Sequence, residues 1–209
     1  METETAKWAI PHRDAELLNL REQLFGKKLD AVVRCVACGE QAEIEFSIDN
    51  MRGAFADSRT EANSVNHSRT MQIDGHRVRY RAPNSEDLAA ICGVGDMAAA
   101  RSMLFERCIE FRGAMSGSAN AALAERVLDR LSREHGWTDT RVSFDCPGCG
   151  TTRQAPFDIA SFLWREVDDW ARRMLREIHL LASRYGWSEN DILSMNARRR
   201  QAYVEMLEG

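Results

Sequence analysis

Two pairs of cysteines carry the clearest chemistry in this sequence. Cys35 and Cys38 are two residues apart and followed by Gly39; Cys146 and Cys149 repeat the arrangement and are followed by Gly150. A Cys-x-x-Cys turn directs both sulfurs to one side, and a glycine after the second cysteine supplies the positive φ that closes the turn. Two such turns provide four thiolates, the donor set of a closed, tetrahedral, structural zinc site. The expected ligands are therefore Cys35, Cys38, Cys146 and Cys149, with zinc as a structural cofactor. Iron–sulfur ligation, a metal-free thiol cluster and two unrelated pairs are the alternatives. The other two of the six cysteines, Cys92 and Cys108, stand in helical sequence and read as small buried hydrophobes.

Catalytic chemistry finds little support. Four thiolates leave no open coordination position for a substrate or water. A nucleobase deaminase needs a His-x-Glu element upstream of its Pro-Cys-x-x-Cys. Here the proline lies inside the pair, at Pro147, and none of the five histidines is followed two places later by glutamate. Gly-x-Ser-x-Gly, His-Glu-x-x-His and a phosphate loop are missing, and Gly93-Val94-Gly95 lacks a third glycine in register. His179, between Ile178 and Leu180, reads as a packing or partly exposed residue. The expectation is a protein that is not an enzyme.

The elements that must position the cysteines fall into three stretches. Residues 12–24 space Leu17, Leu18 and Leu24 as a helix that Gly26 would end. Short β-prone segments flank Cys35 and Cys38, and Ile44, Phe46 and Ile48 alternate with polar residues as in a strand with one buried face. Residues 50–69 read as loop. Asp74-Gly75 then joins two strands in a hairpin. From Ser85 the period becomes helical: a serine-capped segment, then 96–112 with Met97, Ala100, Leu104, Cys108 and Phe111. The stretch GAMSGSAN follows as a linker, and 119–135 carries Leu123, Val127, Leu128 and Leu131 before Gly136. After the second knuckle, Asp158 caps a long helix with the apolar stripe Ile159, Phe162, Leu163, Trp170, Leu175, Ile178, Leu181 and Tyr185. Ser188 and Asp191 mark another start, and a last helix begins at Asn196.

The resulting expectation is an α+β protein: a split zinc-ribbon-like β element with a helical insertion and a C-terminal helical bundle. Its segments are 1–83 (N-terminal helix, first knuckle, hairpin), 84–137 (helical insertion), 138–157 (second knuckle) and 158–209 (C-terminal helices). The knuckles are separated by 107 residues, 39 through 145, a gap that a surface insertion can fill at little cost in closure entropy. With 209 residues, 44% apolar, 29% charged and a net charge of −4, the chain reads as one or two water-soluble domains rather than a general coat for nucleic acid. No apolar run approaches the roughly 20 residues that cross a bilayer, so no membrane partner is expected. The start, METETAKWAIPHRDAE, lacks a secretory layout, and a cytoplasmic location is expected.

Basic groups gather late, at Arg172, Arg173, Arg176 and Arg198 to Arg200. They form either a solvated helical face or a patch for an acidic partner surface or nucleic acid. Trp164, Trp170 and Trp187 share the region. Most of that aromatic area is expected in the core, and an exposed tryptophan beside arginine would anchor an interface.

The phrases CPGCG, FDIASFLWREVDDWA and IHLLASRYGWSENDILSM, with an arginine run before YVEML, resemble the T-even-type phage baseplate hub assembly proteins of contractile tails and related injection systems. The resemblance spans residues 140–209 and extends to 12–48, where the first knuckle belongs. It implies an assembly chaperone or minor structural component of a baseplate hub, with other baseplate or hub proteins as partners and incorporation into the tail particle as one outcome. It carries over no catalytic residues. In this reading zinc joins the two ribbon halves, fixing the N-terminal helix relative to the long C-terminal one. Trp164, Trp187, Arg198, Arg199 and Arg200 would present the partner-binding surface. The alternative is a zinc-ribbon nucleic-acid-binding or regulatory protein.

Overall fold

The computed structural model describes residues 2–49, 51, 68–73, 75–112, 123, 125–127, 129–130 and 140–208. The loop expected at 50–69 is described only at 51, 68 and 69. Asp74, GAMSGSAN, Leu128, Leu131 and Gly136 lie outside the described residues. The fold is α+β, in two compact units, Met1–Ile159 and Ala160–Gly209. No helix among the described residues is long and apolar enough to cross a membrane.

In the first unit, a helical turn α1 (Glu2–Thr5) precedes α2 (Ile10–Phe25). The inward face of α2 is Pro11, Ala15, Leu18 and Arg21. Leu24, expected on the apolar side, is exposed, and its place is taken by Arg21, whose guanidinium donates to the Gly26 carbonyl at 2.7 Å. A long cationic side chain can bury its stem when its head meets a carbonyl at a helix end.

Strands β1 (Lys28–Arg34) and β2 (Gln41–Ser47) form a seven-pair antiparallel hairpin, from Lys28 opposite Ser47 to Arg34 opposite Gln41. Ala42, Ile44, Phe46 and Ile48 turn inward in period two, as the sequence predicts. The first knuckle is the tip of this hairpin.

The chain then leaves the ribbon. β3 (Arg69–Ile73), β4 (His76–Tyr80) and β5 (Ile109–Arg112) form an antiparallel sheet in that order. Between β4 and β5 come α3 (Ser85–Ile91) and α4 (Met97–Cys108). The expected hairpin is present, with Gly75 at its turn. The helix expected over 96–112 ends at Cys108, because residues 109–112 pair with Arg77–Tyr80. Met97, expected in that helix's apolar stripe, is exposed. Met71, Ile73, Val78, Tyr80, Cys108, Ile109, Leu123 and Val127 close a core of their own.

A buried carboxylate ties this insertion together. Asp87 has no exposed surface. Its oxygens accept from Arg81 at 2.5 and 2.9 Å, from Arg107 at 2.8 Å and from the Asn84 amide at 2.9 Å, while Asn84 Oδ1 accepts from the Asp87 amide. One side chain thus caps α3 and links the end of β4 to α4. The same turn is held to the N-terminal segment: the Ile10 amide donates to the Pro83 carbonyl, and the Ser85 amide to the Ala6 carbonyl.

The second hairpin, β6 (Arg141–Asp145) with β7 (Thr152–Pro156), returns the chain to the ribbon and carries the second knuckle at its tip.

The second unit is built from α5 (Ile159–Tyr185, its first residue belonging to the other unit), α6 (Glu189–Ser194) and α7 (Ala197–Glu208). Leu181, Ile192 and Val204 form its core, one from each helix, with Ile178, Trp187, Tyr203 and Leu207 against them. Tyr185 stacks on Trp187 at 4.5 Å, and Tyr203 meets Trp187 edge-on at 4.9 Å. The helix starts are as read from the sequence: Ser188 accepts from the Asp191 amide and Asn196 Oδ1 from the Arg199 amide. Ser188→Ala is expected to cost this unit about 1 kcal/mol, read as a lower denaturant midpoint; an unchanged midpoint would mean the cap contributes nothing.

Candidate metal centre

Each knuckle grows from its hairpin in the same way. The Cys35 amide donates to the Glu40 carbonyl at 2.8 Å and the Gly39 amide to the Cys35 carbonyl at 2.9 Å. In the second knuckle the Cys146 amide donates to the Thr151 carbonyl at 3.1 Å and the Gly150 amide to the Cys146 carbonyl at 2.8 Å. Gly39 and Gly150 have φ of 78° and 66°, a region L side chains occupy only with strain. The two tips are therefore local copies of one another.

The hairpins share no hydrogen-bonded strand pair; each is a separate two-stranded sheet. They are joined by side chains instead. Cys35, Ala42, Phe144 and Cys146 form a small buried cluster flanked by Val33, Ile44 and Ala155, and Phe46 meets Phe157 edge-on at 5.6 Å. This packing brings the knuckles tip to tip. The four sulfurs lie within 4.8 Å of one another, with Cys35 to Cys149 at 3.9 Å and Cys38 to Cys146 at 3.5 Å. A metal–sulfur bond of about 2.3 Å in a regular tetrahedron sets sulfurs about 3.8 Å apart. All six cysteines are free thiols. The four expected ligands are thus together, and the donor set fits a four-coordinate metal ion.

The electrostatics of the cluster point the same way. The Cys38 and Ala37 amides hold the Cys35 pKa below its ordinary value. The Thr151 hydroxyl, 3.0 Å from Cys149 Sγ, and the Thr151 amide bring Cys149 down to about 6. At Cys38 the Glu40 amide also lowers the pKa, but the adjoining Cys146 sulfur and burial outweigh it and push the thiol up to about 12. Four sulfurs this close repel as thiolates unless a cation sits among them.

Gly148, inside the second knuckle, was not singled out in the sequence. A Cβ there would lie 2.9 Å from Glu40 Cβ and 3.4 Å from Cys38 Sγ. Gly148→Ala is expected to separate the tips and lower zinc affinity about tenfold, about 1.4 kcal/mol, in competition with a chromophoric chelator. Glu40→Gly in the same chain is expected to recover most of it, and wild-type affinity in the single variant would refute this close approach.

Of the other expected site residues, Arg199 lies over the Tyr203 ring at 5.8 Å, and that ring meets Trp187. In the second unit Trp164, Arg198 and Arg199 are exposed. Trp187 is half-buried in the aromatic cluster, and Arg200 is turned inward, bonded to Glu177 at 2.8 Å. Arg200 therefore holds α7 to α5 rather than facing a partner. Cys92 is exposed, against expectation, and Cys108 is buried, its burial raising the thiol to about 11.

No protein-family model, curated protein or solved structure matches this chain.

Proposed function

We propose that the four cysteines hold one zinc ion that closes a split ribbon, and that the protein works through protein–protein contacts rather than catalysis. In this reading it is an assembly factor or minor structural component of a contractile phage-tail or injection-system baseplate hub. The observation that carries the metal part is the meeting of four sulfurs from knuckles 107 residues apart in the sequence. A closed set of four thiolates suits a structural ion, and a Cys108 thiol held at about 11 is a poor nucleophile. The baseplate role rests on the sequence phrases of residues 140–209 and 12–48. Arg198 and Arg199 on α7 are the proposed contact for an acidic face of a hub protein. A nucleic-acid-binding role is less well supported, since the α5 arginines share their helix with Glu166, Asp168 and Asp169, Arg200 is bound to Glu177, and the chain carries a net charge of −4.

Native mass spectrometry of the reduced chain is expected to give a mass excess of one zinc, lost under denaturing spray; no bound metal would refute the site. Co-purification with baseplate hub proteins is expected from the wild-type chain and not from Arg198→Glu/Arg199→Glu. Failure of the wild-type chain to capture any hub protein would refute the assembly role and leave the metal site standing.

A further inference from the structure

The middle of α5 carries an apolar strip that faces solvent. Trp164, Trp170 and Leu175 are 74%, 48% and 61% exposed. Val167, Ala171 and Met174 are partly buried and interleave with them at spacings that put all six on one side of a helix. The two tryptophans and the leucine alone expose on the order of 400 Å² per copy, within the range of the largest apolar patch on a monomer, which is often functional.

The charges around the strip select its occupant. Glu166, Asp168 and Asp169 precede the Trp170–Ala171 step, and Arg172, Arg173 and Arg176 follow it. Asp168 and Arg172 pair within the helix at 2.8 Å, while Arg173 and Arg176 have no ion pair among the described residues. At the borders, Arg165 bonds back to the Ser161 carbonyl and Glu177 is bound to Arg200. An acidic partner would be repelled by the first half, and a basic one by the second. A parallel copy would set like on like. Only an antiparallel copy lays each acidic half over an arginine half.

We propose that α5 pairs with α5 of a second copy of this chain, antiparallel about Trp170 and Ala171. Val167, Trp170 and Met174 recur at heptad spacing and lie on the seam, whereas Leu163 is buried in its own chain. About that centre Val167 lies level with Met174 of the second copy and Trp170 with its Ala171, whose small side chain lets the helices approach. The same register sets Asp168 level with Arg173 of the second copy and Asp169 level with its Arg172. Contact from Trp164 to Leu175 is about 17 Å long, and the pair buries on the order of 1,000 Å², the lower margin of stable interfaces.

Sedimentation velocity of the full-length reduced protein is expected to show reversible monomer–dimer exchange with a dissociation constant of tens of micromolar. Trp170→Glu, at an exposed position, is expected to weaken it at least 50-fold with an unchanged circular dichroism spectrum. A monomer at every concentration, or a dimer indifferent to Trp170→Glu, would overturn the proposal. Orientation is read from a variant with all six charges exchanged, Glu166, Asp168 and Asp169 to Arg and Arg172, Arg173 and Arg176 to Glu. It is expected to dimerise with itself as the wild type does and to refuse the wild-type chain, because a mixed antiparallel pair meets like charge. Preferential mixed dimers in native mass spectra would mean a parallel pair and overturn the arrangement.

Discussion

Cys146→Ser should abolish tight zinc binding and unfold both ribbon hairpins while leaving the C-terminal unit folded. The size of this effect follows from how little else joins the hairpins. Their shared core consists of Cys35, Ala42, Phe144 and Cys146, and two of those four are expected ligands. No backbone ladder connects β1–β2 to β6–β7, and small two-stranded units are marginal alone. A structural zinc contributes apparent binding free energy of about 10–16 kcal/mol, and where the apo site is unfolded this is folding free energy. Removing the metal therefore outweighs any single packing change in the ribbon.

The rest of the chain sets the contrast. The unit from Ala160 onward contains no cysteine and has its own core of Leu181, Ile192 and Val204. The β3–β4–β5 insertion has a separate core and the Asp87 clamp. Amide exchange on the chelator-treated protein should accordingly lose protection in β1, β2, β6 and β7, keep it in α5 to α7, and keep most of it in β4. Undiminished protection of both hairpins without metal would sink the idea that the ion is the staple.

The knuckles were legible because a metal turn is a local pattern, four residues and a glycine, repeated twice. Their meeting was legible only by counting sulfurs against the needs of one ion. β5 was hidden: Cys108 and Phe111 are three apart and fit a helical stripe as well as a strand, and the partner that decides it, β4, lies about thirty residues earlier. Arg21 and Arg200 were hidden for another reason. Charged residues are assigned to the surface by type, whereas a guanidinium can be buried once a carbonyl or carboxylate meets it, as Gly26 and Glu177 do here. Trp170 and Leu175 show the converse. Periodicity identifies the apolar side of α5 correctly, but it cannot tell whether the rest of the chain covers that side, and at these two positions it does not.

Asp87→Asn is expected to destabilise the first unit by about 3 kcal/mol, from the removal of a buried carboxylate that two arginines share. The larger cost of a stranded buried charge does not apply in full, because Arg81 and Arg107 are 22% and 42% exposed and can turn to water. What is lost is the fixing of three elements to one another. The asparagine can still accept at one oxygen, but it cannot serve Arg81, Arg107 and the Asn84 amide together. The acid dependence follows with a definite sign. Burial alone would raise the Asp87 pKa, but the Arg81 guanidinium, the Asn84 amide and Arg107 outweigh it and hold the carboxyl at about 2 against an ordinary 3.8. A carboxyl depressed in the folded state stabilises fully above its unfolded pKa and loses that contribution as pH falls through the folded value. The shift corresponds to about 2 kcal/mol, so the gap between wild type and Asp87→Asn should be full at pH 6 and close by that amount between about pH 4 and pH 2. Both proteins lose any cysteine-held metal alike in acid, and the difference isolates Asp87. Denaturant unfolding followed at β4 amides reads it. A gap that stays constant down to pH 2 would show that the carboxylate is not held in its charged form by this clamp.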